Sequence, residues 1–243
     1  MYHKQRIGVV IPAFNEEAFV AQTINSIPDY VDLIVAVDDG SHDRTLAEIM
    51  GINRPGLIAV RHAVRQGVGS AIRSGFQEIL TQNIDIIMTM DADGQMSAHD
   101  IPHMLDPLLK GKADLVKGNR FGYKEAKEKM PLMRYLANRG FSKLQSWAHG
   151  ACLVKDAQSG FTAMTSNLLR QINIDQLWPG YGIYNDLVFQ VSHLNARIVN
   201  VPIRTIYGQE HSYIKAIDCL KILWLLGSHR TRLFRHETYS VSH

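Results

Sequence analysis

The chain has 243 residues, 46% of them hydrophobic, and 26 Lys plus Arg against 23 Asp plus Glu give a formal charge of +3. That excess is too slight to mark a nucleic-acid binder, and no nucleic-acid motif accompanies it. Cys152 and Cys219 lie far apart without C-x-x-C spacing, which excludes a disulfide scaffold or zinc knuckle and fits a reducing compartment.

Residues 1–5 are short and polar and show no secretory leader pattern. Residues 7–11 then form a continuous β-rich run, as expected of a strand covered on both faces, and the run stops at Pro12. Residues 16–27 follow as a helix with Phe19, Val20, Thr23, Ile24 and Ile27 on one side. A second strand at 33–37 ends in Asp38-Asp39-Gly40-Ser41, where Ser41 or Asp43 is placed to cap the next helix. A third strand at 57–61 precedes a helix at 67–80, and a fourth at 84–90 runs into Asp91-Ala92-Asp93-Gly94. Residues 114–117 are short and β-like, 123–129 charged and loop-like, and 131–149 helical. A late strand at 198–206 and a final amphipathic helix at 213–226 close the pattern. Alternating strands and helices predict an α/β protein with a mostly parallel, Rossmann-like sheet and helices on both faces, in a single domain.

The carboxylates carry the chemistry. Asn15-Glu16-Glu17, Asp38-Asp39 and Asp91-Ala92-Asp93 all follow strands, and in an open α/β sheet ligands bind beyond the carboxyl ends of the strands. Asp91 and Asp93 flank one residue, so their charges repel; Mg²⁺ or Mn²⁺ would relieve the conflict and bridge a diphosphate, with Gln95 as a neutral ligand. A solvated acidic turn is the bland alternative. Gly67, Gly69 and Gly75 open a helix after the third strand, which suits either a phosphate at the helix N-terminus or close packing of helix on sheet. His42, His62, His99, His103, His193 and His211 lack paired metal-ligand spacing and read as structural or surface residues. Trp147, Trp178 and Trp224 read as core or interface residues.

Four segments in order carry a resemblance: residues 10–17, 37–43, 90–95 and Gly118-Asn119-Arg120. On these the chain resembles the family-2 glycosyltransferases of GT-A fold, and within them the dolichyl- or polyprenyl-phosphate sugar synthases of the mannose type. The likeness spans roughly residues 7–213. It implies a catalytic domain over residues 1–212 and an amphipathic basic helix and tail over 213–243. It also implies that Pro12, Phe14, Glu16 and Asp39 hold the nucleoside, that Ala92 lines it, and that Asp91, Asp93 and Gln95 bind the metal. Arg120 and Arg204 match cationic residues facing donor or acceptor phosphates, and Arg134 one that meets a lipid phosphate. Asp156 lies in an acceptor-side segment, and Asp186 falls where an acidic pair often holds a catalytic base. Three departures stand out: Arg65 replaces an Asn, Thr162 an Arg or Lys, and Asn185 the first acid of that pair.

The reaction implied is inverting transfer from a GDP- or UDP-sugar to a polyprenyl or dolichyl phosphate. A saccharide hydroxyl is the alternative acceptor, with Asp186 or Asp156 as general base and Arg120 among the catalytic groups. A phosphate acceptor, with a second pKa near ~6, is already anionic and needs no base. A sugar-nucleotide pyrophosphorylase is disfavoured because residues 12–17 are acidic and glycine-free; a non-catalytic homologue is disfavoured because both Asp91 and Asp93 are present. The apolar run at 219–227 is broken by Lys221 and falls short of the ~20 residues of a membrane span. Ile214, Ile217, Leu220, Leu223 and Trp224, with Lys221, Arg230, Arg232 and Arg235, instead suit an interfacial helix, a core contact or a homo-oligomer. The expected location is cytoplasmic, with peripheral attachment to the membrane's cytoplasmic face through that helix.

Overall fold

The computed structural model describes residues 1–123, 128, 130, 132–148, 154–206 and 216–240. Seven strands form one sheet in the order β3-β2-β1-β4-β6-β5-β7: β1 (Ile7–Ala13), β2 (Leu33–Asp38), β3 (Leu57–Arg61), β4 (Ile86–Thr89), β5 (Leu115–Asn119), β6 (Thr162–Thr165) and β7 (Ile198–Pro202). Strands β1 to β4 are mutually parallel, and β5 pairs parallel with β7. Strand β6 runs antiparallel to both β4 and β5 and so joins the two parallel sets.

Helices cover both faces. One face packs α1 (Val20–Ser26), α2 (Thr45–Met50) and α4 (Ile101–Leu109) against Ile7, Val9 and Ile11. The other packs α3 (Val68–Leu80), α6 (Ser166–Arg170) and α7 (Ile183–Ser192) against Val10, Val35 and Val37. Alternate residues of β1 thus enter different cores, and this double burial produces the unbroken apolar run in the sequence. Two long helices, α5 (Leu132–Ala148) and α8 (Ala216–Ser240), pack together through Ala148, Ile222 and Leu226.

Several boundaries move. The first helix begins at Val20 rather than residue 16, because Glu16 and Glu17 lie in a loop that hydrogen-bonds the next one: Glu16 N–H donates to Thr45 Oγ1 and Arg44 N–H to Glu17 Oε2. Neither candidate is the N-cap, which is Arg44 without a side-chain bond; Asp43 Oδ1 accepts from Thr45 N–H at 2.9 Å just ahead of the helix, and the Ser41 hydroxyl accepts from Asn15 N–H. Strand β6 and helices α4, α6 and α7 were not apparent in the sequence pattern. The expected loop at 123–129 lies outside the described residues apart from Tyr123 and Glu128, as do residues 213–215 of the expected last helix and His211.

Gly75 settles its own two readings. A Cβ there would lie 2.2 Å from Val10 Cγ1, so this glycine lets α3 press onto β1. Val10 is a fully buried β-branched residue with little freedom to yield. Gly75→Val should destabilise the protein by about 1–3 kcal/mol through overpacking, lowering the melting temperature by roughly 2–4 °C per kcal/mol. Thermal unfolding checks this, and an unchanged midpoint would show that α3 moves aside freely.

Candidate active site

Beyond the carboxyl ends of β1, β2 and β4 lies a cavity of about 320 Å³. Its lining includes Pro12, Phe14, Glu16, Asp39, Asp91, Ala92, Asp93, Gln95 and Arg120. The three acidic clusters therefore meet at one sheet edge, as their positions after successive strands require. The opposite wall comes from later elements: Asn138 and Phe141 of α5, Tyr184 of α7, Cys219 and Ile222 of α8, and the Gln158-Ser159-Gly160 segment before β6.

Electrostatics make the acidic side of this cavity unusual. Burial and the Asp93 charge hold the Asp91 carboxyl well above the usual carboxylate range, against the opposing pull of Arg120 and Lys117. Burial, followed by Asp93 and Asp91, pushes Glu16 up to about 7. Asp93 Oδ1 accepts from Gln95 N–H at 3.0 Å, in a turn that Gly94 completes at a φ of 72°. Among the described residues no group of three or more His, Cys, Asp or Glu forms a ready-made cage. Two carboxylates and an amide oxygen nevertheless fit a hard divalent ion whose remaining positions are filled by water and substrate phosphate. The raised protonation of Asp91 is the strain such an ion would relieve.

Asp39 is placed differently from a free base-reading group. Its Oδ1 accepts from Gln66 N–H at 2.8 Å and pairs with His62 Nδ1 at 2.7 Å, while Oδ2 accepts from Gly67 N–H at 2.8 Å. It therefore fixes the loop before α3, and His62, bridged on to Ser74, is the structural histidine expected. This loop carries Arg65, whose guanidinium lies 4.0 Å from the Phe14 ring centroid at the cavity wall. The first turn of α3 lines the cavity through Val68 and Ala71, but its backbone is not an open phosphate cradle. Ser70 N–H donates to the Pro179 carbonyl at 3.0 Å, and a Cβ on Gly69 would lie 2.2 Å from the Trp178 carbonyl oxygen. Backbone from another loop occupies the place a phosphate would take.

The remaining candidates separate into those at the cavity and those away from it. Arg120 lines it but is gripped by Asp156, Nε to Oδ2 at 2.7 Å and Nη2 to Oδ1 at 2.9 Å. Asp156 is fully buried and does not line the cavity, so it acts as the partner of Arg120 rather than as a base facing substrate. Asp186 is also absent from the lining; Oδ2 accepts from Trp178 N–H at 2.9 Å and Oδ1 meets His229 Nε2 of α8 at 3.1 Å. In this structure neither Asp156 nor Asp186 lines the cavity, and each carboxylate is bonded to internal partners. Arg204 lies outside the lining, between Ile203 and Thr205 which belong to it, and its backbone N–H donates to Asp100. Arg134 falls in α5, with its side chain outside the described positions. Trp147 and Trp224 are not core residues: 55% and 66% of their surfaces are exposed.

Sequence reading passed over Lys117. It is fully buried in β5, donating from Nζ to the Ser159 carbonyl at 2.5 Å and to Thr162 Oγ1 at 3.0 Å. Burial draws its ammonium down to about 7, opposed by Asp156 and Asp91. A lysine flanked by apolar residues in a strand covered on both faces was the available signal.

The sequence matches glycosyl transferase family 2 over residues 8–171. The chain belongs to that family. Relatives include the UDP-N-acetylglucosamine–dolichyl-phosphate N-acetylglucosaminyltransferase of Methanococcus voltae, 29% identical, with 84% of this chain and 86% of that protein covered. The undecaprenyl-phosphate mannosyltransferase of Micrococcus luteus is 30% identical, with 82% of each chain covered. Among solved structures, the glucosyl-3-phosphoglycerate synthase of Mycobacterium tuberculosis in complex with Mn²⁺ and UDP-glucose matches with a TM-score of 0.65 at 25% identity. That match covers 90% of this chain and 76% of the other. The GT-A fold and a family-2 glycosyltransferase activity follow.

The acidic cluster also sets a pH dependence. A carboxyl whose folded pKa is raised binds its proton more tightly folded than unfolded, so its contribution to stability is present below the ordinary pKa and lost as pH rises through the folded one. For Glu16 that window runs from 4.5 to about 7, and Asp91 shifts in the same direction. Metal-free protein should therefore melt at progressively lower temperature as pH rises through that window. Glu16→Gln should flatten part of the slope, and added Mn²⁺ should reverse the loss at its upper end. Calorimetric scans across the window check this; a flat profile in the metal-free protein contradicts it.

Proposed function

We propose that this glycosyltransferase moves a sugar, with inversion, from a nucleoside diphosphate sugar to a polyprenyl-type lipid phosphate. The observation that carries the reading is the pairing of an acidic, metal-suited cavity edge with two candidate base carboxylates, Asp156 and Asp186, already engaged by internal partners. An acceptor phosphate is anionic near neutrality and attacks without a base. Two relatives named for lipid-phosphate acceptors support the same choice.

Phe14, with Pro12 and Ala92, forms the nucleoside wall, and Arg65 stacked on Phe14 stiffens it. Asp91 and Asp93, with Gln95, hold Mg²⁺ or Mn²⁺, which when bound neutralises charge on the departing diphosphate. The Mn²⁺ complex of the mycobacterial synthase supports this assignment. Arg120, oriented by Asp156, presents positive charge towards the phosphates, with Arg204 on the acceptor side.

The acceptor side borders α5 and α8, and their outward faces are apolar. Leu132, Met133, Leu136 and Trp147 on one helix and Ile217, Leu220, Leu223 and Trp224 on the other are exposed. No helix among the described residues is long and apolar enough to cross a membrane. This two-helix surface, with Arg139, Lys143 and Lys221 beside it, suits shallow contact with an anionic lipid surface, where a lipid phosphate would be presented.

Nucleotide release from UDP- and GDP-sugars with Mn²⁺, measured with and without polyprenyl phosphate, tests the activity. Release should depend on the lipid phosphate, and Asp93→Asn should lower kcat/KM on the order of 100-fold, or about 2.7 kcal/mol of transition-state stabilisation. Asp186→Asn should stay within roughly threefold of the parent in kcat, about 0.7 kcal/mol. An inactive but folded Asp186→Asn protein would overturn base-free transfer. Sedimentation with anionic vesicles should fall in a Leu220→Glu, Trp224→Glu protein; equal sedimentation of parent and variant would remove the lipid-surface contact.

A further inference from the structure

Lys117 is a charged side chain with no exposed surface, and it is not part of the cavity lining. It therefore acts through what it holds. Its Nζ grips the Ser159 carbonyl and the Thr162 hydroxyl and lies 4.4 Å from the Tyr184 ring centroid. Ser159 begins a segment pinned at three successive carbonyls. Lys117 Nζ donates to the first, Thr89 Oγ1 to that of Gly160 at 2.5 Å, and Gly118 N–H to that of Phe161 at 2.9 Å.

The middle residue of this segment abuts Asp91. A Cβ built on Gly160 would lie 2.4 Å from Asp91 Oδ2 and 2.7 Å from Oδ1, so the carboxylate rests against bare backbone. Where that backbone sits decides where the carboxylate sits. We propose that Lys117 is a positioning residue for Asp91: by fixing the Ser159 carbonyl it seats Gly160 against the carboxylate and so sets the geometry of the metal ligand.

The residue type suits the task. A lysine stem spans the distance from β5 through the buried interior, and its ammonium makes charge-assisted bonds to neutral oxygens without adding a carboxylate to an already acidic site. An outer partner that orients a ligating group commonly shifts metal affinity by about 10- to 100-fold when removed.

The inference rests on the reading of Asp91 as a metal ligand, and one experiment separates the two. Mn²⁺ uptake by the full chain in the presence of UDP or GDP is measured by calorimetry for the parent and for Lys117→Met, with melting curves and amide exchange at residues 158–161. The variant should fold, exchange faster at 158–161, and bind Mn²⁺ at least about tenfold more weakly, with most of the parental kcat recovered at saturating Mn²⁺. Parental Mn²⁺ affinity in the folded variant overturns the positioning role. A parent that takes up no Mn²⁺ with either nucleotide overturns the ligand reading beneath it. Should Lys117→Met fail to fold, Thr162→Val, which removes one of the two oxygens Nζ grips, decides: weaker Mn²⁺ binding supports the role and unchanged binding overturns it.

Discussion

Asp91 is asked to carry negative charge at the end of a buried strand, two residues from a second carboxylate and near a third. Removing a carboxylate from water raises the free energy of its charged form, and like charges add to that cost. Much of the surrounding architecture answers this one constraint. Glu16 shares the strain and is raised with it, while Arg120 at the cavity and Lys117 buried outside its lining oppose it at Asp91. Arg120 is itself held bidentately by Asp156, so positive and negative groups alternate from the cavity edge into the interior. The arrangement leaves an electrostatic demand that a divalent ion bridging to a diphosphate would satisfy.

The sequence revealed the first half of this protein better than the second, for a physical reason. Strands β1, β2 and β4 are central and covered on both sides, so their apolar runs are continuous and end abruptly at polar residues that must face the cavity. Those abrupt ends line the cavity, which is why Glu16, Asp39, Asp91, Asp93 and Gln95 could be read together from the sequence. Strand β6 was not, because it has four residues, Thr162 to Thr165, and derives its identity from two neighbours distant in sequence. Helix α7 is buried along nearly its whole length, so it lacks the amphipathic stripe that marks a surface helix.

Residues expected at the site divided according to their partners. Asp39 and Asp186 both sit where acids are expected, yet one secures the loop before α3 and the other ties α7 to α8. Sequence gives a residue type and a neighbourhood; whether an oxygen remains available depends on backbone donors that only the fold brings near. The same holds for the glycines. Gly75 serves packing against Val10, and Gly69 makes room for the backbone at Trp178, so a phosphate-loop reading of this stretch gives way to one of close contact.

The last helix is not an appendage to this arrangement. Cys219 and Ile222 of α8 form part of the cavity wall, and His229 stacks on Phe189 with ring centroids 3.9 Å apart while it meets Asp186. Asp186 in turn holds the backbone of Trp178, beside the Pro179 carbonyl that closes off the start of α3. A chain shortened to end before this helix would leave the pocket with a missing side and cut the first link of a relay reaching the start of α3. The division expected near residue 213 thus falls between elements that share one cavity wall.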